Sequence, residues 1–331
     1  MSLFVGIVGL ANVGKSTLFE ALTKKQVNIS NYPFCTIEPN VGVVEVPDER
    51  VDKLAAAFNS AKKIPAIVKF VDIAGLVRGA NKGEGLGNQF LANIRETDAI
   101  LFVVRCFENA EITHVEKTID PVRDIDIVNM ELVLKDIETV DKRMQKAEEK
   151  EKEFLRNLKA WLEQGNLARQ FGERNELLKE LQLLTDKPAI FILNSNTPEI
   201  LPALAKKIKE LNSEYIVASL RDEYDGSKFS EEEKKELGLG ESKLAEIVQK
   251  SYKVLGLITF FTTGPDETRA WTIKQGTLAP QAAGVIHTDF EKKFICAIVI
   301  NWQKLLNKEL PETKGKEYAV LDGDVIEVKH G

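Results

Sequence analysis

Short apolar runs recur along the chain and alternate with stretches whose apolar residues fall every three or four positions. The runs are LFVGIVG, VGVVEV, AIVKFVD, AILFVV, AIFILN and EYIVAS. Near-continuous Val, Ile and Phe residues are typical of strands covered on both faces of a sheet, whereas the wider spacing is typical of amphipathic helices. The pattern therefore predicts an α/β fold with a mostly parallel sheet.

One interval in this alternation is too long for a single crossover connection. About 90 residues separate the run near Ile100 from the run near Ile190. Within the interval, apolar residues three to five positions apart form one stripe, and charged residues spaced four apart follow it. We predict a helical hairpin over residues 123–185, inserted into an α/β domain of residues 1–122 and 186–256. The charged face either keeps two packed helices soluble or docks a partner, and the pattern leaves both interpretations open.

The pattern changes again after Leu257, where β-rich runs are bounded by Gly, Pro and Asp. These runs are LITFFTTG, TRAWTIKQG, KFICAIVI and DGDVIEVKHG. Short strands with such boundaries indicate a small α+β domain, which we place at residues 257–331.

Composition narrows the class of protein. A net charge of −6 over 331 residues gives no overall attraction to nucleic acid, so any RNA contact must use a local patch. The three cysteines lie far apart without metal-ligand spacing, which disfavours disulfides and zinc and favours a reducing compartment. The N-terminus lacks the basic leader of a signal peptide, and no apolar run is long enough to span a bilayer. We expect a cytoplasmic protein without membrane partners.

The segment GLANVGKST matches the P-loop pattern G-x-x-x-x-G-K-[ST]. It follows a predicted strand and opens a predicted helix, which is the context that the pattern requires. Lys15 would neutralise the β- and γ-phosphates of a nucleotide, and the Ser16 hydroxyl would bind Mg²⁺. The segment predicts a nucleotide-phosphate site formed by Asn12, Val13, Gly14, Lys15, Ser16 and Thr17.

Two further segments supply groups for the same site. Asp72 ends the run AIVKFVD, where a carboxylate can hold Mg²⁺ directly or through water, and Gly75 would offer its N–H to a γ-phosphate. Thr36 lies in the loop NYPFCTIEPN, where it is either a second hydroxyl ligand of Mg²⁺ or a simple turn former. The predicted metal ligands are therefore Ser16, Thr36 and Asp72.

Four phrases together resemble the YchF family, also called Obg-like ATPases. They are YPFCTIEPNVG, DIAGLVRGANKGEGLGN, RAWTIKQGTLAPQAAGVIHTDFEKKFI and the final DGDVI, and the resemblance covers essentially the whole chain. It implies a translation-factor type G domain, an inserted coiled-coil hairpin and a C-terminal TGS domain with a β-grasp fold. It also implies Mg²⁺-dependent hydrolysis of ATP or GTP and association with ribosomes. The helical insert is shorter here than is usual in the family.

Leu76 follows Gly75 at a position where many switch proteins place a Gln that orients water. The family resembles hydrolases that carry an apolar residue there, so another group must act or hydrolysis stays slow until a partner binds. Resemblance places a functional histidine at His114, although a lone loop histidine is often a bystander. Asn12 occupies a position where K⁺ could be held against the phosphates, or it merely caps the turn.

The base-reading segment departs from the family. Asn194 ends the run AIFILN, and Ser195, Asn196 and Thr197 follow it without the Lys and Asp of a guanine reader. The family's usual N-x-x-E would place Glu at position 197, where this chain has Thr. Adenine could bond to the Asn194 or Asn196 amides and the Ser195 backbone, unless Glu199 loops back to read guanine. We therefore expect ATP to bind at least as well as GTP. The sequence favours a slow P-loop nucleoside triphosphatase; the alternative is a nucleotide-gated ribosome- or RNA-binding module with negligible hydrolysis.

Overall fold

The computed structural model describes residues 3–24, 27, 32, 40–73, 86–109, 116, 118–229, 233, 236 and 242–331. The chain divides into two compact units. The first consists of Met1–Gln26, Ile37–Gly42 and Lys69–Ile247, and the second consists of Val27–Thr36, Val43–Val68 and Val248–Gly331. The sequence-based boundaries of three domains stay a prediction, and each unit is described here by itself.

Strands and helices alternate through the first two thirds of the described chain. The strands are β1 (Phe4–Val8), β2 (Val41–Glu45), β3 (Lys62–Ile64), β4 (Ile67–Asp72), β5 (Ala99–Arg105), β6 (Ala189–Asn194), β7 (Glu214–Ala218), β8 (Leu257–Thr263), β9 (Glu267–Lys274), β10 (Phe294–Asn301), β11 (Glu312–Lys314) and β12 (Asp324–His330). The helices are α1 (Lys15–Thr23), α2 (Glu49–Phe58), α3 (Leu86–Arg95), α4 (Pro121–Met144), α5 (Glu149–Glu163), α6 (Glu176–Leu181), α7 (Pro202–Glu210), α8 (Leu220–Gly226), α9 (Leu244–Val254), α10 (Ala279–Ile286), α11 (Thr288–Lys292) and α12 (Trp302–Leu306). None of these helices combines the length and the apolar character that a membrane span requires.

The first sheet has the strand order β2-β4-β1-β5-β6-β7. β1 pairs in parallel with β4 and β5, and β6 pairs in parallel with β5 and β7. All residues of β5 and β6 are buried, as expected for central strands covered on both faces. The predicted α/β fold is confirmed. Parallel pairing brings the carboxyl ends of these strands to one edge of the sheet, where ligands of such folds bind; we call it the carboxyl edge.

The long interval between β5 and β6 contains two packed helices. α4 begins at Pro121 behind the cap Asp120 and buries Ile125, Val128 and Leu132 along one stripe. α5 follows after a four-residue turn and buries Phe154, Leu155, Leu158 and Leu162. The buried Asp136 of α4 accepts hydrogen bonds from the Leu184 and Thr185 amides and from the Thr185 hydroxyl. This carboxylate joins the helical insert to the turn that leads into β6.

The second sheet has the order β11-β10-β12-β8-β9-β3. β8 and β9 form an antiparallel hairpin, β12 pairs in parallel with β8, and β10 pairs antiparallel with β12. α10 covers the core on one face, which is built from Phe260, Ile273, Ala282, Phe294, Val299 and Ile326. Adjacent parallel first and last strands with a helix packed across the sheet are the β-grasp arrangement that the resemblance implies, and that prediction is confirmed.

Residues 43–68 contribute an edge strand and a helix to this second unit. β3 pairs in parallel with β9, so that Lys62 lies opposite Glu267 and Ile64 opposite Arg269. In α2, Arg50 forms an ion pair of 2.7 Å with Asp322, and its guanidinium lies 5.1 Å from the Phe261 ring centroid. The sequence pattern did not indicate this association.

Candidate nucleotide-binding site

The P-loop leaves β1 at the carboxyl edge and enters α1. Gly14 has φ 107°, and a Cβ there would lie 2.7 Å from the Asn194 Nδ2 atom. Gly9 leaves similarly little space, since a Cβ would lie 2.4 Å from the Val103 carbonyl oxygen. Asn12 adopts a left-handed φ of 62° and is exposed. Both glycines are therefore required for the backbone to turn tightly in front of the helix.

Lys15 is buried inside this turn. Its Nζ atom donates a hydrogen bond of 2.7 Å to the Leu10 carbonyl oxygen, and the side chain is 7% exposed. Burial lowers the pKa of Lys15 to about 8, and the nearby charge of Asp72 partly opposes this effect. The ammonium group is thus held within the curve of the loop, where a P-loop lysine meets phosphate oxygens.

Ser16 and Asp72 meet beside Lys15. The Ser16 hydroxyl donates a hydrogen bond of 2.9 Å to Asp72 Oδ2, and the Asp72 amide donates one of 3.0 Å to the Asn40 carbonyl oxygen. Asp72 Oδ1 is buried and has no hydrogen-bond partner among the described residues. A hydroxyl and a carboxylate with an unsatisfied oxygen are the hard ligands that Mg²⁺ prefers. The residues present therefore fit a Mg²⁺ site at this place.

Asn194 connects the P-loop to the end of the sheet. Its Nδ2 donates a hydrogen bond of 2.9 Å to the Val13 carbonyl oxygen, and its Oδ1 accepts one of 3.1 Å from the Leu220 amide. Its backbone oxygen accepts a third bond, of 2.8 Å, from the Cys106 amide. Asn194 is 6% exposed. This amide is one of the groups predicted to bond to adenine, whereas its observed bonds are to Val13 and Leu220.

After Asn194 the chain passes through the buried Ser195 into an exposed segment at residues 196–199. The Ser195 amide, also predicted to bond to the base, donates a hydrogen bond of 3.1 Å to the Ala218 carbonyl oxygen. The Ser195 hydroxyl accepts a bond of 3.2 Å from the Thr197 amide. Asn196 and Glu199 are exposed. Of the predicted base-reading groups, the Asn196 side chain is the one that the turn presents to solvent.

Several predicted site residues lie outside the described residues. These are Thr36, Gly75, Leu76 and His114. Their roles stay predictions, as does the K⁺ role of Asn12.

Sequence reasoning missed one residue at the carboxyl edge. Arg105 ends β5 and is 1% exposed, although a buried strand end is an unusual place for a cation. The available signal was the run AILFVVR, in which a charge directly follows six apolar residues.

Comparisons with known proteins cover the whole chain. Residues 4–158 match the family model described as 50S ribosome-binding GTPase, and residues 257–331 match YchF-GTPase_C, described as a protein of unknown function, DUF933. The Ribosome-binding ATPase YchF of Bacillus subtilis is 45% identical, with 98% of each chain covered. That of Mycoplasma genitalium is 46% identical, with 99% of each chain covered. The chain belongs to the YchF family.

A solved structure of a YchF protein has the same fold as this chain. The structure of the Schizosaccharomyces pombe YchF GTPase is 40% identical, covers 99% of this chain and 98% of its own, and has a TM-score of 0.87. The alignment with the B. subtilis YchF protein extends over 360 residues, beyond the 331 of this chain. This YchF family member therefore lacks segments that the B. subtilis relative carries.

Proposed function

We propose that this protein is a slow, Mg²⁺-dependent nucleoside triphosphatase that acts with ribosomes and accepts ATP at least as well as GTP. The observation that carries the proposal is the group of Lys15, Ser16 and Asp72 near the start of α1, in which one buried carboxylate oxygen has no hydrogen-bond partner among the described residues. The names of the curated relatives, which call them ribosome-binding ATPases, support the choice of partner and reaction. Cytoplasmic location follows from that partner.

Each residue of the group has a distinct task. The backbone between Asn12 and Gly14 turns ahead of α1, so that amide groups and the positive end of the helix face the phosphates. Lys15 supplies a cation that exchanges its bond to Leu10 for bonds to phosphate oxygens. Ser16 and Asp72 would hold Mg²⁺, which supplies charge neutralisation at the β- and γ-phosphates when bound. The chain's own residues thereby bind and orient the triphosphate.

The preference for ATP rests on what the base-reading turn contains. A guanine reader places a carboxylate against the N1–H and 2-amino groups, but Ser195, Asn196 and Thr197 carry none. A charge-assisted hydrogen bond contributes about 1.5–3 kcal/mol, so its loss removes about one to two decades of guanine preference. The exposed Asn196 amide can accept from the adenine 6-amino group and donate to N1.

Phosphate release in the steady state tests the reaction. We expect slow release that stops when EDTA removes Mg²⁺ and accelerates when ribosomes are added. Asp72→Asn should lose most of the Mg²⁺-dependent rate while retaining a fold that is native by circular dichroism. Tight nucleotide binding without any release, with or without ribosomes, would instead support a nucleotide-gated ribosome- or RNA-binding module.

Competition of unlabelled ATP and GTP against one fluorescent nucleotide tests the base. Equal or stronger displacement by ATP supports the proposal. A clear preference for GTP that disappears in Glu199→Ala would contradict it, because it would show that the exposed carboxylate of Glu199 reads guanine.

A further inference from the structure

Arg105 is a buried cation at the carboxyl edge. It ends β5, lies opposite Asn194 in register on β6, and is among the bulkiest side chains that are fully buried in the described part of the chain. Removing a guanidinium from water costs several kcal/mol unless its N–H groups are bonded. The acceptors of Arg105 therefore identify what this cation is there to hold.

Two acceptors of Arg105 among the described residues are backbone carbonyl groups of the segment that follows β5. Arg105 Nε donates a hydrogen bond of 3.1 Å to the Phe107 carbonyl oxygen, and one Nη atom donates one of 3.2 Å to the Asn109 carbonyl oxygen. The guanidinium carbon lies 4.8 Å from the centroid of the Phe107 ring, within the range of a cation–π contact. The chain thus folds back over its own arginine as it leaves the sheet.

The same turn is joined to the P-loop through Asn194. The Cys106 amide donates to the Asn194 backbone oxygen, and the Asn194 side chain donates to the Val13 carbonyl oxygen. The P-loop therefore has its own support in Asn194, while Arg105 holds the turn after β5. That turn leads toward the predicted catalytic residue His114 in the sequence.

We propose that Arg105 is a positioning residue for nucleotide hydrolysis, which fixes the chain leaving β5 by holding the carbonyl groups of Phe107 and Asn109. The inference rests on the proposed function and on the catalytic role predicted for His114, toward which the held turn leads in the sequence. Loss of Arg105 frees the turn without removing any P-loop phosphate ligand, so it lowers kcat much more than it weakens nucleotide binding. Lysine keeps the charge but lacks the planar fork that reaches two acceptors.

The molecule offers a matched control in Arg169. This largely buried arginine also donates to two carbonyl oxygens, those of Leu211 and Lys187, at 3.3 Å each. Lys187 precedes β6 and Leu211 precedes β7, so these bonds lie at the amino ends of the strands, opposite the carboxyl edge. Arg169→Met removes the same chemistry from the same unit, away from the P-loop.

The experiment compares wild type, Arg105→Met, Arg105→Lys and Arg169→Met in the full chain. We measure kcat for ATP, the Kd of a fluorescent nucleotide, the melting temperature and amide hydrogen exchange of residues 106–109. For Arg105→Met we expect kcat to fall at least about tenfold, Kd to change less than about threefold and exchange at 106–109 to accelerate. The kcat of Arg105→Lys should lie between those of Arg105→Met and wild type. Arg169→Met should lower the melting temperature with kcat and Kd unchanged.

Other results overturn the inference. An unchanged kcat in Arg105→Met, or a loss of rate equal to that in Arg169→Met, makes Arg105 a stabilising residue only. If Arg105→Met does not fold, a wild-type kcat in Arg105→Lys has the same meaning, and a reduced kcat with wild-type Kd supports the inference. No turnover in the wild type contradicts the proposed function itself, whereas normal wild-type turnover with an unaffected Arg105 variant contradicts this inference alone.

Discussion

The side-chain amide of Asn194 donates a hydrogen bond of 2.9 Å to the carbonyl oxygen of Val13, 181 positions earlier in the chain. The same side chain accepts from the Leu220 amide, so one buried residue holds the P-loop and the start of α8 together. Asn194 ends β6, where its sequence position predicts contact with the base. Its side chain is bonded to the P-loop.

Removal of the Asn194 side chain should therefore affect folding and nucleotide binding together. Asn194→Ala leaves the buried Val13 oxygen and Leu220 amide without partners, which costs about 1–3 kcal/mol for each group. We expect a lower melting temperature and weaker binding of ATP and GTP by a similar factor. Asn196→Ala, in the exposed next-but-one position, should leave stability unchanged and alter the ratio of the two affinities. An Asn194 variant with wild-type stability and a changed ratio would reverse these assignments.

Lys15→Met should abolish tight nucleotide binding without destabilising the protein. Burial lowers the pKa of Lys15 to about 8, so the group stays mostly charged at neutral pH but its burial costs free energy of folding, and methionine removes that cost. Loss of charge-assisted bonds to phosphate should weaken binding at least about a hundredfold. Fluorescent-nucleotide titration and thermal unfolding are the measurements.

Lys187→Met is the control for this prediction. Lys187 is half-buried and, like Lys15, donates to backbone oxygens, those of Arg95 and Thr97, but it lies before β6 at the amino end. We expect it to lose stability and to keep nucleotide affinity. Unchanged affinity in Lys15→Met would remove the basis for the P-loop assignment.

Asp136 should make stability depend on pH in an unusual direction. Burial raises the pKa of its carboxyl to about 6 from 3.8, against the opposing effect of hydrogen bonds from Thr185 and Leu184. Between about pH 4 and 6 the folded protein holds a proton that the unfolded chain has released, so this group's contribution to the free energy of unfolding falls as pH rises. Below pH 4 both states are protonated, and above pH 6 the loss is complete.

Urea unfolding of wild type and Asp136→Asn across this range isolates the effect. From pH 4 to pH 7, the free energy of unfolding of wild type should fall by about 2–3 kcal/mol relative to that of Asp136→Asn. Parallel curves would show that Asp136 has an ordinary pKa.

Potassium should accelerate hydrolysis if Asn12 holds a monovalent cation against the phosphates, where it would supply the charge of an arginine finger. We expect faster phosphate release in KCl than in NaCl at matched ionic strength and Mg²⁺. Asn12→Ala should remove the difference while keeping most of the nucleotide affinity. Equal rates in the two salts would leave Asn12 as a residue of the turn.

His114→Ala should reduce kcat well beyond its effect on nucleotide Kd, as loss of a group acting in the transition state does. The control is His287→Ala, which should turn over normally, because His287 is an exposed histidine that caps α11 in the C-terminal unit. A wild-type rate in His114→Ala would assign the missing catalytic group to the backbone near Leu76 or to the ribosome.

Local patterns predicted the parts of the fold that depend on neighbours in sequence. The P-loop could be recognised because its glycines, Lys15 and Ser16 fall within nine consecutive residues between a strand and a helix. The apolar runs after Leu257 predicted a small α+β domain, and the resemblance to the family implied its β-grasp fold. The closeness of Ser16 and Asp72 agrees with their prediction as ligands of one Mg²⁺ ion, whereas the hydrogen bond between them was not predicted.

Contacts between residues far apart in the sequence could not be predicted from local patterns. Nothing within a few residues of Asn194 shows that its amide is already bonded to Val13, because the partner is brought there by the strand order. From the sequence, Arg105 is only the last residue of a strand, and its bond to the Phe107 carbonyl oxygen depends on the turn that follows. The attachment of β3 to β9 depends on pairing between residues about 200 positions apart, which apolar periodicity does not encode.

Cutting the chain before residue 257 would divide the second compact unit, which includes residues 43–68. A fragment of residues 257–331, the span of the C-terminal family model, would lose the strand that satisfies one side of β9. The Pro265 and Asp266 oxygens would lose the amides of Ala61 and Lys62, and Asp322 would lose Arg50. An uncovered edge strand pairs readily with other chains. Such a fragment should self-associate, and a soluble version would need residues 43–68 supplied as a second polypeptide or fused ahead of it.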